Sequence, residues 1–303
     1  MNGVIILDKP AGFTSFDAVA VMRGLAKEKK IGHTGTLDPM ATGVLPLLIG
    51  RAAKAADLLP DTDKEYEAGF SLGERYDTGD VTGKVTETCA VRVPGEAIVR
   101  VIPEFCGDIM QVPPMYSAVS VNGQRLYKLA RQGIEIEREA RPIHIEALEL
   151  RSFDVDGQKG VLRVSCSKGT YIRALIEDIA KAAGTLGTMT SLRRVKACGF
   201  TEKEAVTLDG LRAIAAEGKL ETVLRPVETL FRDYPPVHVS PAQAVRFCNG
   251  GGLDIGRLRM PRIALWEGQR FCVYGPEGRF LGLAKARPEI NQLGFLKLFA
   301  EEK

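Results

Sequence analysis

Apolar runs of strand length alternate along this chain with segments of helical period, and several neighbouring runs are separated only by turns. A doubly wound parallel sheet needs a crossover of about a dozen residues or more between strands. Short turns therefore favour an α+β fold with a mixed, largely antiparallel central sheet flanked by helices. The run Gly3–Leu7 reads as a buried strand stopped by the turn Asp8-Lys9-Pro10-Ala11-Gly12. Thr14-Ser15-Phe16-Asp17 follows, with a hydroxyl cap and an acid in the first turn, and starts a helix reaching about Lys29. Further strands are expected over Val44–Gly50, Lys64–Leu72, Ile143–Arg151 and Gly160–Cys166. Helices are expected over about 52–59, 96–105 and 124–132, and helical segments over 201–224. Thr170–Ala183 has the clearest helical period, with Ile172, Leu175, Ile176 and Ile179 on one face and Gly184 as its stop. The two prolines of Val112–Ala118 exclude a helix interior or a central strand there.

Asp233-Tyr234-Pro235-Pro236 is the candidate linker, dividing the chain into 1–230 and 231–303. Beyond it, short apolar runs at 262–266, 270–274 and 280–284 alternate with Gly-rich turns, which suggests a small β-rich domain. At 303 residues, 45% hydrophobic and 26% charged, the composition is that of an ordinary soluble globular protein. The N-terminal apolar run stops at Asp8 without a basic segment before it, so neither a secretory signal nor a membrane span is expected, and the location read from this is cytoplasmic. Cys89, Cys106, Cys166, Cys198, Cys248 and Cys272 are scattered without a C-x-x-C pair, as are His33, His144 and His238. Isolated thiols suit a reducing compartment, and neither set has zinc-ligand spacing. No metal and no cofactor are expected.

A net charge of +3 is too small to announce a nucleic-acid partner, but its distribution is uneven. Residues 61–108 hold 5 Lys/Arg against 11 Asp/Glu, whereas residues 246–303 hold 10 against 6. Basic groups also gather at Lys27-Glu28-Lys29-Lys30, at Arg125, Lys128 and Arg131, and at Arg193-Arg194-x-Lys196. One acidic and one basic face would produce this pattern, and the basic face could neutralise phosphates.

The segment Gly32–Gly43 holds three glycines, three threonines and no apolar period, and is read as a loop. It lacks the Gly-Lys-[ST] of a P-loop and the G-x-G-x-x-G of a dinucleotide site. Read alone, Asp38 before Pro39 is a turn or cap residue. His33 shares its loop, where glycines let backbone approach a ligand. Further on, Ser165–Thr170 forms a small-residue turn ahead of a helix, with Tyr171 and Arg173 at the helix start. Spacing alone does not bring Arg173 to Asp38.

The run Gly32-His33-Thr34-Gly35-Thr36-Leu37-Asp38-Pro39-Met40-Ala41-Thr42-Gly43-Val44-Leu45 closely resembles the catalytic motif of the TruB family, bacterial tRNA pseudouridine-55 synthases. Four more stretches agree in order: Asn2–Pro10, Asp63–Glu67, Pro114–Ala118 and Cys166–Arg173. Gln132–Glu135, Arg141–Ile143 and Leu192-Arg193-Arg194 fit as well, so the resemblance spans about residues 2–230.

The resemblance implies a pseudouridine synthase fold with a PUA-like RNA-binding β-barrel after it, and isomerisation of uridine 55 in the T-loop of tRNA. The reaction breaks an N-glycosidic bond, turns the base and rejoins it through carbon, which needs no metal or redox group. Asp38 is implied as the nucleophile, attacking sugar C1′ or base C6. Arg173 is implied to pair with it, keeping it ionised by lowering its pKa. Tyr66 is implied to stack on the target base and assist proton transfer, with Tyr171 on the same nucleotide and Leu192 as an apolar wall. His33 would fill the gap left by the extruded uridine. Lys9 would support the site or lie at the surface. An insertion over about 113–142 would close on the T-arm, with Arg125, Lys128, Arg131, Arg138 and Arg141 available for phosphates, and Arg193 beside them. The enzyme is expected to act as a monomer without an obligate protein partner. Two competing readings are a synthase for another or a guided RNA, and an RNA chaperone that needs no turnover.

Overall fold

The computed structural model describes residues 1–121, 123–260 and 264–300. Among them, ten strands form one mixed sheet. Its spine runs in the order Val206–Thr207, β1 (Gly3–Lys9), β3 (Thr42–Ile49), Gly187–Ala197, β4 (Lys64–Leu72), Lys159–Cys166, Arg141–Asp154 and Gly107–Gln111. A short strand β2 (Ile31–His33) pairs with β3. Most joints are antiparallel; the parallel ones are β1 with Val206–Thr207 and β3 with Gly187–Ala197. The expected α+β class with a mixed, largely antiparallel sheet is what forms.

The unbroken apolar run of β1 has a simple cause. Ile5 and Leu7 face one core while Val4 and Ile6 face another, so both sides of the strand are buried and no polar alternation survives. Strand β3 does the same with Leu45, Leu47 and Ile49 against Val44 and Leu48. Strand β4 is one-sided. Tyr66, Ala68 and Phe70 are buried. Glu65 and Glu67 face outward, where Arg163 of the neighbouring strand meets them at 2.7 and 2.8 Å.

Helix α1 (Ser15–Ala26) begins with a reciprocal cap: Asp17 N–H donates to Thr14 Oγ1 at 3.0 Å, and Thr14 N–H donates to Asp17 Oδ2 at 2.8 Å. It stops short of the expected Lys29 because Lys27 turns left-handed. The helix Ile172–Ala182 buries Ile172, Leu175, Ile176 and Ile179 against the sheet, as its period requires, and ends before Gly184.

Several expected helices are shorter than their patterns. Around 52–59 there is only a tight 3₁₀ turn, Gly50–Ala55: Gly50 at φ +65° swings the chain off β3, and Ala52 and Ala55 press into the second core. The 96–105 helix is Gly95–Val101, ended by a 3₁₀ turn containing Pro103. Within 113–142, a two-stranded hairpin (Ser120–Val121 with Gln124–Arg125) takes residues from the expected helix, leaving Leu126–Arg131. In 201–224 the helix is Leu208–Ala216, flanked by 3₁₀ turns.

The C-terminal part is a curled half-barrel of five strands, ordered Pro236–His238, Arg270–Tyr274, Phe280–Arg287, Gln292–Leu298 and Leu253–Asp254. The strand expected over 262–266 does not form at 264–266, and 262–263 lie outside the described residues. The half-barrel is bonded to the large sheet through a shared core. Val4, Ile6, Val44 and Leu48 meet Phe231, Cys272, Leu283 and Phe299 there. Phe231 is fully buried, with ring centroids 5.5 Å from Phe299 and 5.9 Å from Tyr234. No described helix is long and apolar enough to cross a membrane. Replacing Phe231 by Ala should destabilise the whole protein by about 3–5 kcal/mol, read as a lower midpoint in denaturant, because the two sheets cannot close over the void.

Candidate active site

Asp38 lies in the loop between β2 and β3, and that loop is braced from three sides. From α1, the buried Ser15 hydroxyl accepts from Leu37 N–H at 2.8 Å and approaches Leu37 O at 3.3 Å. From the turn after β1 and the end of β1 itself, Gly12 N–H and the Lys9 ammonium reach Pro39 O at 2.8 and 3.4 Å. From below, Arg194 donates through Nη2 to Gly35 O at 3.2 Å and through Nε to Val44 O at 2.7 Å. Gly43, paired with Arg194 across the parallel joint, has φ +102°, and a Cβ there would sit 2.2 Å from Arg194 O. Only glycine permits that approach.

The helix Ile172–Ala182 carries Arg173 to the loop. Its Nη2 lies 3.1 Å from Asp38 Oδ2, the contact that spacing alone could not establish. The guanidinium is 6% exposed and is held by Thr78 O at 2.8 Å, Tyr116 O at 2.9 Å and Asp80 Oδ2 at 3.8 Å. Asp80 is itself buried, and its other oxygen accepts from Thr82 N–H at 3.0 Å and Thr78 Oγ1 at 3.1 Å.

One expectation is corrected here. Arg173 does lower the Asp38 pKa, but burial outweighs it and the Asp80 carboxylate adds to the rise, so the net direction is upward from the ordinary value. A carboxyl whose folded pKa is raised favours folding below its unfolded pKa, and loses that contribution as pH rises through the folded value. Asp38→Asn should therefore melt higher than the unaltered chain at neutral pH, with the gain shrinking as pH falls toward the unfolded value of about 4 and gone below it. Melting curves across pH check the sign.

Tyr66, Ala68, Leu192 and Arg194 face one another across β4 and Gly187–Ala197, in the pairs Tyr66–Arg194 and Ala68–Leu192. Tyr66 and Leu192 are buried at 6% and 8% exposure. Burial raises the Tyr66 phenol pKa, and the Arg194 charge opposes the rise. Arg194 is wholly buried, and its Nη1 has no hydrogen-bond partner among the described residues. His33 accepts from Gly35 N–H at its Nδ1, 3.2 Å away, which leaves the ring proton on Nε2. Burial and then Arg194 lower its pKa, so the ring is neutral at pH 7. Tyr171 stands just before the Arg173 helix, its backbone clamped by Gln111 through bonds of 2.8 and 3.1 Å.

For Lys9 the structure chooses between the two expectations, and Arg193 departs from its own. Lys9 is neither at the surface nor open to substrate: it is wholly buried, donating to Pro10 O at 2.9 Å, Phe13 O at 2.6 Å and Pro39 O. Burial, then Arg194, brings its pKa down to about 8. It is an internal brace of the Asp38 loop. Arg193, expected at phosphates, is held by two carboxylates, Asp8 through paired bonds of 3.1 Å and Glu202 at 3.1 Å. Charge already neutralised in this way is a poor phosphate group. Arg125, Lys128, Arg131 and Arg141 are exposed, whereas Arg138 is partly buried beside Glu135. The 113–142 segment stands over a cleft of about 940 Å³ walled by Arg173, Glu177, Met110 and Tyr116.

Ser15, Asp80 and Arg194 complete the site and were not singled out from sequence. Asp80 sits in a turn with two other acids nearby, and nothing local distinguishes it. Arg194 carries a signal in Leu192-Arg193-Arg194, but only the alternation of the strand Gly187–Ala197 decides which arginine points inward.

A carboxylate on a braced glycine-rich loop, paired with a buried arginine, is the candidate active site of this fold. Comparison with known proteins gives its class. Residues 23–172 match the N-terminal domain of the TruB family pseudouridylate synthases, and residues 173–232 match the C-terminal domain of tRNA pseudouridylate synthase B. The tRNA pseudouridine synthase B of an Azoarcus species is 44% identical over 285 residues, covering 94% of this chain and 91% of that protein. That of Dechloromonas aromatica is 47% identical over 256 residues, 84% of each. In three dimensions the chain resembles a solved Cbf5-Nop10-Gar1 complex at TM-score 0.76 and 27% identity, covering 98% of this chain and 85% of that one. The chain belongs to the TruB family.

Proposed function

We propose that this protein isomerises the uridine at position 55 in the T-loop of tRNA to pseudouridine. The observation that carries the reading is the Asp38–Arg173 contact of 3.1 Å, made inside the motif that resembles the family's. The curated relatives act on tRNA by name, which supplies the substrate class.

The target nucleotide leaves its stack and enters beside Asp38, and the neutral His33 ring occupies the space it vacates. Asp38, aimed by Arg173, attacks sugar C1′ or base C6. The bond from N1 to C1′ breaks, the base turns, C5 bonds to C1′, and the bond to Asp38 breaks; the C5 proton is lost and N1 takes up a proton, so the product is an isomer and the carboxylate is regenerated. Tyr66 faces the base and assists that proton's departure, Tyr171 contacts the same nucleotide, and Leu192 closes the apolar side. Burial raises the resting pKa of Asp38 and so sharpens the carboxylate as a nucleophile once Arg173 has fixed its direction. Segment 113–142 approaches the T-arm with Arg125, Lys128, Arg131 and Arg141 toward phosphates, and residues 231–303 add RNA contacts as a PUA-like domain. The chain works as a cytoplasmic monomer.

Tritium release from tRNA labelled at uridine C5 tests this directly. Wild type should release tritium, and Asp38→Asn should lose at least about a thousandfold in rate while still binding RNA. Equal release from both would remove Asp38 as the nucleophile. Binding without release by wild type would favour the chaperone. Neutralising Arg125 and Lys128 together should flatten the salt dependence of binding by about two units in log–log slope; an unchanged slope would take the segment off the RNA.

A further inference from the structure

Among the large apolar side chains, Phe16 stands out by place as well as exposure. Its ring is 72% exposed on the first turn of α1, and α1 is the helix bolted to the Asp38 loop through Ser15 and Leu37. The ring is set almost perpendicular to the His33 imidazole, at 81° and 5.7 Å between centroids. Its neighbour Ser15 is fully buried, and the Thr14–Asp17 cap fixes the helix start. Phe16 is therefore an aromatic face presented beside His33 from a capped helix start. Scattered exposed apolar groups are ordinary on protein surfaces. A phenyl ring set against a histidine of the candidate site is a different situation.

We propose that Phe16 is a stacking platform for a nucleobase of the RNA adjacent to the extruded uridine. This rests on the RNA-modifying reading above. The perpendicular contact spends the approach to His33 on one side and leaves the ring largely open, where a base can lie flat. Extruding one nucleotide strips its neighbour of a stacking partner. A phenyl ring beside the histidine that enters the vacated space would replace that partner and lower the cost of extrusion. A base is the fitting occupant because every nucleobase presents a π face, so the contact needs no sequence readout.

The test compares Phe16→Ala, Phe16→Leu and Phe16→Trp in the Asp38→Asn background, measuring affinity for an unmodified T-arm hairpin. A parallel titration uses 2-aminopurine placed at each neighbour of the target uridine. Because the side chain is exposed, all three variants should melt as their parent does. Loss of stacking should weaken binding about tenfold in both Ala and Leu, while Trp stays within about twofold and quenches the probe. Full binding by the Leu variant would overturn the proposal, since packing on His33 would then be all the ring supplies. Unchanged affinity in the Ala variant would overturn it equally. Absence of turnover by the unaltered chain on the same hairpin would sink the functional reading instead, while the affinity series still decides the role of Phe16.

Discussion

The architecture of the site depends on how closely two strands approach at Gly43 and Arg194. A parallel joint between β3 and Gly187–Ala197 is uncommon in a sheet otherwise mostly antiparallel, and it places the end of the Asp38 loop directly on the strand that carries Leu192 and Arg194. With no Cβ at Gly43, Arg194 can pass beneath and bond the backbone on either side of the loop, at Gly35 and Val44. Tyr66, one strand further, faces the same arginine. Three segments far apart in sequence meet through one guanidinium and one missing methyl group.

Charge in this interior is concentrated rather than avoided. Lys9, Arg173 and Arg194 are all buried, as is Asp80, with Asp38 half-covered among them. Each cation is satisfied largely by main-chain carbonyls, a way to bury charge without adding a counter-charge for every cation. Such an arrangement holds the loop stiff while leaving Asp38 as the carboxylate with solvent access. The raised pKa of Asp38 is the electrostatic mark of that compromise: the group is stabilised less well than an ordinary surface acid.

Much of this was legible from the chain. The apolar runs of β1, β3 and β4, the cap at Thr14, the amphipathic Arg173 helix and the role of Gly184 as its stop all follow from local pattern, and the structure keeps them. The strand Gly187–Ala197 was not legible, because Thr188, Thr190, Ser191, Arg193, Arg194 and Lys196 give it a polar composition that suggests a surface loop. What decides it is long-range: buried polar groups are tolerated where neighbouring strands supply partners, and no window of sequence contains those neighbours. The same reason left Lys9 open between support of the site and the surface, and put Arg193 at phosphates. A cation's exposure depends on carbonyls and carboxylates brought in from elsewhere. The contact of Arg173 with Asp38 joins residues that only the fold makes neighbours.

The core shared with the half-barrel gives strand β3 a double allegiance. Its inner side chains support the site, while Val44 and Leu48 are covered by residues from beyond position 230. A chain cut after residue 230 would therefore not be a smaller version of the same enzyme. It would expose an oily strip on the strand that anchors Asp38, inviting aggregation and loosening the loop together. The two parts share one core, so substitutions in the C-terminal sheet can disturb the candidate site on the far side of β3.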